Sequence, residues 1–300
     1  MKINFAVIGT NVITDRFLEA AKQAEGFCLR GVYSRTMEKA EAYAKRQGAE
    51  LTFDSLEALA ACPEIDAVYI ASPNSLHASQ SIQMLKGDKH VLCEKSIASN
   101  QREFEEMRKA ALENQAVLLE AMRSVYSPGF QAVRENLHKL GKIRRVSFQY
   151  CQYSRRYDNF KKGIIENTFN PALSNGALMD IGVYCVHPLI SLFGKPKKVI
   201  SSSLKLSNGI DGAGTILVEY PEFQGELLYS KITDSRVPSQ IQGEEGTMVI
   251  REIPDPQEIT IYYRSGKTEN LENSRMEMEL MDEVRRQQGI IFPADTINRE

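Results

Sequence analysis

The sequence lacks tryptophan and has only five cysteines and four histidines in 300 residues. The cysteines are odd in number, widely spaced and form no C-x-x-C pair. This argues against a disulfide framework or a zinc ribbon and suits a reducing compartment. The histidines, at positions 77, 90, 138 and 187, have no metal-binding spacing. We therefore expect no catalytic metal.

A charge excess of either sign is also absent, since 37 Lys and Arg oppose 39 Asp and Glu for a net charge of −2. The charges are scattered, which argues against a surface that tracks nucleic-acid phosphates. The N-terminus has no signal-peptide core, and by inspection no apolar run approaches the length that crosses a bilayer. We expect a soluble, cytoplasmic protein without a nucleic-acid or membrane partner.

Short apolar runs alternate with helical patterns over residues 1–121. Such alternation is typical of βαβ units, and a chain of this length predicts about two domains. The runs show little polar alternation, as expected for parallel strands covered by helices on both faces. They extend from Asn4 to Ile8, Phe27 to Tyr33, Ala67 to Ala71, His90 to Cys93 and Val117 to Ala121. We predict an N-terminal Rossmann domain with a doubly wound parallel sheet.

The pattern changes after residue 121. Helical patches at Phe130 to Leu140 and Leu178 to Phe193 precede alternating strand-like runs from Val199 to about Arg264. A last helical pattern extends from Met276 to Gln288. Residues 122–300 are therefore predicted to form an α+β domain with a large, mostly antiparallel open sheet. Such a sheet needs covering, which predicts a homodimer or homotetramer.

The first predicted strand leads into a turn and a helix, where a Rossmann domain binds phosphate. Gly9 matches the first motif glycine, Asn11 stands where the second usually lies, and Thr14 takes the third position. Asparagine tolerates a left-handed backbone, so we expect a tight turn to form. The predicted cofactor-binding residues of this turn are Gly9, Thr10, Asn11, Val12 and Ile13.

The second predicted strand ends in Ser34 and Arg35, without an acidic residue. An NAD site places Asp or Glu here for the ribose 2′-hydroxyl, whereas Arg accommodates the 2′-phosphate of NADP. Ser34 and Arg35 therefore favour NADP(H), with NAD(H) as a possible substitute.

Three later segments resemble the signatures of the Gfo/Idh/MocA oxidoreductase family. They are the Ser72-Pro73-Asn74 turn with His77, the run ending in Glu94-Lys95-Ser96, and Asn175 to Tyr184 with Asp180. Members that act on inositols, inososes and dihydrodiols are the most similar. The resemblance implies an NADP(H)-dependent dehydrogenase that acts on a CH–OH or C=O carbon of a cyclitol, sugar or related polyol. It also assigns cofactor contacts to Ser72, Pro73, Asn74, His77, Glu94 and Lys95.

The predicted reaction centre combines Lys95, Asp180 and Tyr184. Lys95 follows a buried strand at the carboxyl edge of the sheet, where burial is expected to lower the pKa of an amine. Asp180 and Tyr184 share one helix face. The resemblance implies that Lys95 and Tyr184 exchange the proton of the reacting oxygen while Asp180 orients the lysine or the substrate.

Substrate contacts are predicted for Lys95, Asp180 and Tyr184, and for Arg123, which is otherwise a solvated basic residue at the end of a strand. The run Tyr153 to Tyr157 is either a second set of donors or a solvated basic segment. His187 is either a substrate hydrogen-bonding group or a structural histidine.

Two positions depart from the family pattern. Ser96 replaces a proline and so removes the common cause of a cis peptide bond there. Asn175 replaces a glycine before Asp180, which bears on a substrate-loop turn.

Two alternative functions stay open at this point. One is a glycosidase of the same architecture that retains its nicotinamide and oxidises the sugar only transiently. The other is a non-catalytic NADP(H) sensor.

Overall fold

A computed structural model describes residues 2–266 and 280–289 of the chain. Its first domain is a six-stranded parallel sheet in the order β3-β2-β1-β4-β5-β6. The strands are β1 (Ile3–Ile8), β2 (Phe27–Tyr33), β3 (Leu51–Phe53), β4 (Ala67–Ile70), β5 (His90–Cys93) and β6 (Leu118–Glu120). The predicted doubly wound parallel sheet is confirmed, with β3 as an additional short edge strand.

Helices cover both faces of this sheet. They are α1 (Val12–Ala21), α2 (Met37–Gln47), α3 (Leu56–Ala61), α4 (Asn74–Lys86) and α5 (Gln101–Glu113). Successive residues of β1 point to opposite faces, so Phe5 and Val7 join one apolar cluster while Ala6 and Ile8 join the other. The carboxyl ends of the strands are thereby fixed at one edge.

The second domain has a mixed seven-stranded sheet in the order β13-β12-β11-β7-β10-β9-β8. The strands are β7 (Ile143–Cys151), β8 (Lys198–Lys205), β9 (Asp211–Glu219), β10 (Gln224–Ser230), β11 (Ser239–Gly243), β12 (Gly246–Ile250) and β13 (Ile259–Tyr263). The mostly antiparallel character is confirmed, although β10 pairs in parallel with β7. The sequence analysis did not predict β7.

Three α-helices accompany this sheet, namely α6 (Pro128–Asn136), α7 (Arg155–Lys161) and α8 (Val183–Phe193). A π-helical turn at Leu178–Gly182 leads directly into α8. Of the last predicted helix, residues 280–288 are helical, whereas 276–279 lie outside the described residues. A domain boundary between residues 121 and 122 stays a prediction; β6 ends just before it.

Among the described residues, one segment, Pro171–Phe193, is long and apolar enough by composition to cross a membrane, contrary to the expectation from inspection. The stretch contains the π-helical turn and α8, and it supplies Cys185 and Leu189 to the core of the second domain. One such helix is weak evidence for a membrane span, because core helices have the same composition.

Candidate active site

The turn after β1 is closed by a glycine that no other residue could replace. Gly9 has a φ of +105°, and a Cβ atom on it would lie 2.6 Å from the carbonyl oxygen of Ala71. The turn therefore packs directly against the end of β4.

Asn11 completes this turn in a way that differs from the expectation. Its backbone is extended, with φ −100° and ψ 178°, and not left-handed. The reason is that the residue caps α1: its Oδ1 accepts from the backbone N–H of Ile13 and Thr14, at 2.9 and 3.2 Å. Its Nδ2 also donates to the carbonyl of Ala71 at 2.7 Å. The side chain therefore replaces the second glycine as the element that shapes the turn.

A cavity of about 340 Å³ opens beside this turn. Ser34, Arg35 and Lys39 line it, together with the predicted residues Gly9, Thr10, Asn11, Ser72 and Pro73. Among the described residues that line it, none is acidic. Within residues 2–266 and 280–289, neither Arg35 nor Lys39 has an ion-pair partner. Two cations therefore remain available to an anionic ligand at the end of β2.

Asn74 and His77 hold loops together instead of lining this cavity. The Asn74 side-chain amide donates to the carbonyl of Ser174 in the second domain at 2.9 Å. The fully buried His77 ring contacts the carbonyls of Ser96 and Ser72, each at 2.9 Å, and burial lowers its pKa. Both residues fix the turns that follow β4 and β5, and their predicted cofactor contacts stay predictions.

Glu94 directly follows β5 and lines a second cavity, of about 600 Å³. Its carboxylate accepts from the Tyr69 hydroxyl at 2.6 Å and from the Lys95 backbone N–H at 3.2 Å. Burial, together with the Glu94 charge, raises the pKa of Tyr69. Tyr69 therefore stays a hydrogen-bond donor that fixes Glu94.

Lys95 and Asp180 join the two domains. The Lys95 Nζ donates to Asp180 Oδ1 at 2.9 Å and to the Asp180 main-chain carbonyl at 2.7 Å. Ser96 adds a bond from its Oγ to the carbonyl of Met179 at 3.0 Å. The Lys95–Ser96 peptide bond is cis although Ser96 is not proline. Lys95 and Asp180 are therefore in direct contact, and the predicted role of Asp180, to orient the lysine or the substrate, stays a prediction.

The pKa of Lys95 shifts in the opposite direction to the one expected from the sequence. Burial alone would lower the pKa of Lys95, but the Asp180 carboxylate, its hydrogen bond to Lys95 and the Glu94 carboxylate act in the opposite direction, and the net direction is upward. The expected lowering was wrong because the sequence showed the burial of Lys95 but not its neighbours. Burial alone would raise the pKa of Asp180, whereas Lys95 and Lys231 lower it to about 2. Both groups are ionised at neutral pH.

Tyr184 lies one turn after Asp180 and lines the larger cavity. Its ring centroid is 5.3 Å from the Lys95 Nζ, and its ring packs edge-to-face on Tyr150. Among the described residues, none forms a hydrogen bond with its hydroxyl. The phenol is therefore positioned next to a cation with its polar group available.

Lys231 is a member of this cluster that the sequence analysis missed. It follows β10 directly, its side chain is 10% exposed, and its Nζ contacts Asp180 Oδ2. The available signal was the one used for Lys95, a lysine immediately after a buried strand.

The segment that carries Asp180 is fixed by another acid. Asp211 Oδ2 accepts from the backbone N–H of Leu178 at 2.7 Å, and its carboxylate fills the space where Gly176 would otherwise have a Cβ. Gly176 has a φ of +121°, so glycine is needed here for two reasons. The Asn175 Oδ1 accepts from the N–H of Gly176 at 3.2 Å.

The remaining predicted residues surround the larger cavity or lie away from it. Arg123 lines it and is 3.7 Å from Asp255. His187 Nδ1 lies 3.3 Å from Glu120, which also lines the cavity. Tyr153 to Tyr157 enters α7, where Arg156 bonds Thr168, and the residues of this run line neither cavity.

Comparison with known proteins agrees with this geometry. Residues 3–122 match the model described as "Oxidoreductase family, NAD-binding Rossmann fold" of GFO_IDH_MocA, and residues 130–249 match the GFO/IDH/MocA C-terminal domain. The chain belongs to the Gfo/Idh/MocA oxidoreductase family. The predicted family and the prediction of an enzyme are thereby confirmed.

Two curated relatives illustrate the range of similarity. The chain is 45% identical over 325 aligned positions to the scyllo-inositol 2-dehydrogenase (NADP(+)) IolU of Bacillus subtilis, covering 98% of this chain and 99% of that protein. It is 28% identical to the trans-1,2-dihydrobenzene-1,2-diol dehydrogenase of Xenopus laevis, covering 83% and 76%.

Among solved structures, the 3-ketoreductase KijD10 of Actinomadura kijaniata, in complex with NADP and TDP-benzene, superposes with a TM-score of 0.79. The identity is 21%, and the match covers 88% of this chain and 82% of that one. This likeness supports the fold.

The residues at the first turn fit a nicotinamide dinucleotide. A Cβ on Gly9 would collide with the end of β4, so the close turn that such a cofactor requires is present. Asn11, the N-cap of α1, lines the same cavity, and a helix N-terminus favours phosphate. The Asn11 side chain already accepts from the N–H groups of Ile13 and Thr14 at the start of α1. The N–H groups that precede them in the turn are left for the ligand.

Proposed function

We propose that the protein is an NADP(H)-dependent dehydrogenase that interconverts a CH–OH group and a ketone on a cyclitol ring, with scyllo-inositol and its inosose as the first candidates. The observation that carries this proposal is the partly buried Lys95–Asp180 pair beside Tyr184, at the carboxyl edge of the sheet. The relative at 45% identity, whose name specifies scyllo-inositol and NADP(+), supports the choice of ring and cofactor.

The preference for NADP(H) is supported by charge at the end of β2. Arg35 and Lys39 line the smaller cavity next to Ser34, which can donate a hydrogen bond. An arginine and a small hydroxyl suit a 2′-phosphate, whereas a ribose 2′-hydroxyl is usually bound by an acidic residue. NAD(H) would lack this phosphate and is therefore expected to bind more weakly.

One N–H of the Lys95 ammonium is available to the substrate. An ammonium group has three N–H bonds, and two of them are used on Asp180. No described residue accepts the third. In the proposed reaction this N–H holds the reacting oxygen, and Tyr184 exchanges the proton with it. Bound NADP(H) supplies the hydride chemistry.

Arg123 is proposed to select the substrate from the rim of the larger cavity. Its side chain is 61% exposed and is only loosely paired with Asp255. A polyol hydroxyl can therefore accept from it without the loss of a strong ion pair.

The proposal is tested with purified protein and matched cofactors. NADPH and NADH are titrated separately, and NADP(+) reduction is then followed at 340 nm with scyllo-inositol, myo-inositol and a set of acyclic polyols. We expect tighter binding of NADPH and turnover with a cyclitol. Cofactor binding without turnover of any polyol would contradict the proposal and favour a sensor. Sugar release from a glycoside without net NADPH change would favour the glycosidase.

We also propose that the enzyme is cytoplasmic and assembles as a homodimer or homotetramer through the outer sheet face. Every residue of the edge strand β8 is exposed, and Ile200 and Leu204, each exposed over more than half of its surface, lie on the same face as the exposed Leu217 of β9. Paired copies would bury these apolar side chains. A monomeric mass in light scattering would contradict the assembly.

A further inference from the structure

We propose that Lys231 is a positioning residue of the reaction centre, which holds Asp180 on Lys95 and balances the charge of the cluster. This inference rests on the proposed dehydrogenase function and adds to it a group from the second domain.

The geometry of Asp180 carries the first step. Its two carboxylate oxygens are divided between two lysines, with Lys95 at Oδ1 and Lys231 at Oδ2. A carboxylate held at both oxygens cannot rotate about its terminal bond without losing one partner. Lys231 therefore fixes the orientation in which Asp180 accepts from Lys95.

The backbone of Lys231 is fixed as well. Its N–H donates to the carbonyl of Gly212 on β9, and its carbonyl accepts from the N–H of Ser154, both at 2.9 Å. The residue is 8% exposed. A long side chain held at its base and buried along its length has few alternative positions, so the ammonium stays at Asp180.

Charge balance supplies the second step. The ionisable groups that interact electrostatically with Lys95 or Asp180 are Glu94, Tyr150, Tyr184 and Lys231. Glu94 and Asp180 are the two carboxylates nearest Lys95, so a single lysine would leave these three groups with a net negative charge. Lys231 makes the set neutral. Negative charge develops on a hydroxyl oxygen as its proton leaves, and a net negative surrounding would oppose that step.

The test removes the charge of Lys231 but keeps an unbranched side chain of similar length, in the variant Lys231→Met. Lys89→Met is the matched control, because Lys89 is also a buried lysine, 7% exposed, which bonds the carbonyl of Cys62 away from the site. The first readout is the pH profile of kcat for cyclitol oxidation. We expect the midpoint of the rise of kcat with pH to lie about one pH unit higher in Lys231→Met. In Lys89→Met we expect this midpoint to be unchanged.

The second readout does not need turnover. Carboxyl-carbon NMR of aspartate-labelled protein follows the titration of Asp180, whose signal is identified by its loss in Asp180→Asn. We expect the Asp180 titration to move to higher pH in Lys231→Met, and to remain at its original position in Lys231→Arg, which retains the charge.

An unchanged Asp180 titration and pH profile in a folded Lys231→Met protein would overturn the proposal. Lys231→Gln is the replacement if the methionine variant does not fold, with the same two outcomes. If the wild-type protein oxidises no cyclitol, the proposed function fails while the NMR titration still decides the role of Lys231.

Discussion

The turns after β1 and β5 lie at the same edge of one sheet, but they are held by different parts of the chain. The first is fixed within its own domain, by the contact of Gly9 with Ala71 and by the Asn11 side chain. The second is fixed within its own domain by His77 on Ser96, and also by the other domain, through Asp180 on Lys95 and Met179 on Ser96. The turn at the cofactor end is therefore held within one domain, although Asn167 and Leu173 of the second domain line its cavity, whereas the turn at the reactive end is held by both domains.

The variant with the largest expected effect is Lys95→Met, which changes the turn after β5 and leaves the turn after β1 unchanged. Loss of the ammonium removes the group proposed to hold the reacting oxygen, so kcat is expected to fall by roughly 10²- to 10⁴-fold. Affinity for NADPH, measured by fluorescence titration, is expected to fall far less than kcat, although Lys95 is also a predicted cofactor contact. Lys89→Met is the control for burying a methionine in place of a lysine. An unchanged kcat in Lys95→Met would remove the residue from the reaction.

The interdomain pair also predicts an acid dependence of stability. The pKa of Asp180 is about 2 in the folded protein, against an ordinary value of 3.8. A lowered carboxyl pKa stabilises the fold above pH 4, and this contribution, about 2 kcal/mol, is lost as the pH falls towards 2. Denaturant unfolding at pH 5 and pH 2.5 measures it. Asp180→Asn is expected to lose less stability between these values, and an equal loss would contradict the prediction.

At the cofactor end, Arg35→Ala is expected to weaken NADPH binding by about tenfold, because one charge-assisted hydrogen bond to phosphate is lost. NADH binding is expected to stay within error, since that cofactor lacks the 2′-phosphate. Arg108→Ala, on an exposed face of α5, is the control for lost surface charge. Equal weakening of both cofactors in Arg35→Ala would contradict the assignment.

The smallest expected effect is that of Asn11→Ala. Loss of a helix N-cap costs about 1 kcal/mol of stability. Asn100 caps α5 in the same way, through the N–H of Glu103, and lies outside the cofactor cavity. Asn100→Ala should lose similar stability, but only Asn11→Ala should also alter NADPH affinity. Calorimetric titration measures the NADPH affinity of both variants. An equal NADPH affinity in Asn11→Ala and Asn100→Ala would show that the cofactor does not use the Asn11 turn.

Local patterns predicted much of the first domain but less of the second. The strands β1, β2, β4, β5 and β6 are apolar runs that can be recognised one at a time. In contrast, β3 has only three residues, and β7 contains the adjacent charges Arg144 and Arg145. The partners of β7 come from β10 and β11, far along the chain, so no local signal identifies it as a central strand.

The same limit applies to the candidate site. Sequence motifs led to Lys95, Asp180 and Tyr184, because each lies in a recognisable segment. They did not lead to Lys231, because its contact with Asp180 joins residues that are distant in the chain. The direction in which the pKa of Lys95 shifts depends on such contacts. The predicted direction was therefore wrong for the same reason.

The bond from Lys95 to the main-chain carbonyl of residue 180 has a consequence for how this enzyme can change over evolution. A codon change at position 180 can remove the carboxylate, but every amino acid supplies the carbonyl. A descendant that lost the aspartate would keep one anchor for its lysine. Reversion or a new acid nearby could then restore the reaction without rebuilding the interface between the domains.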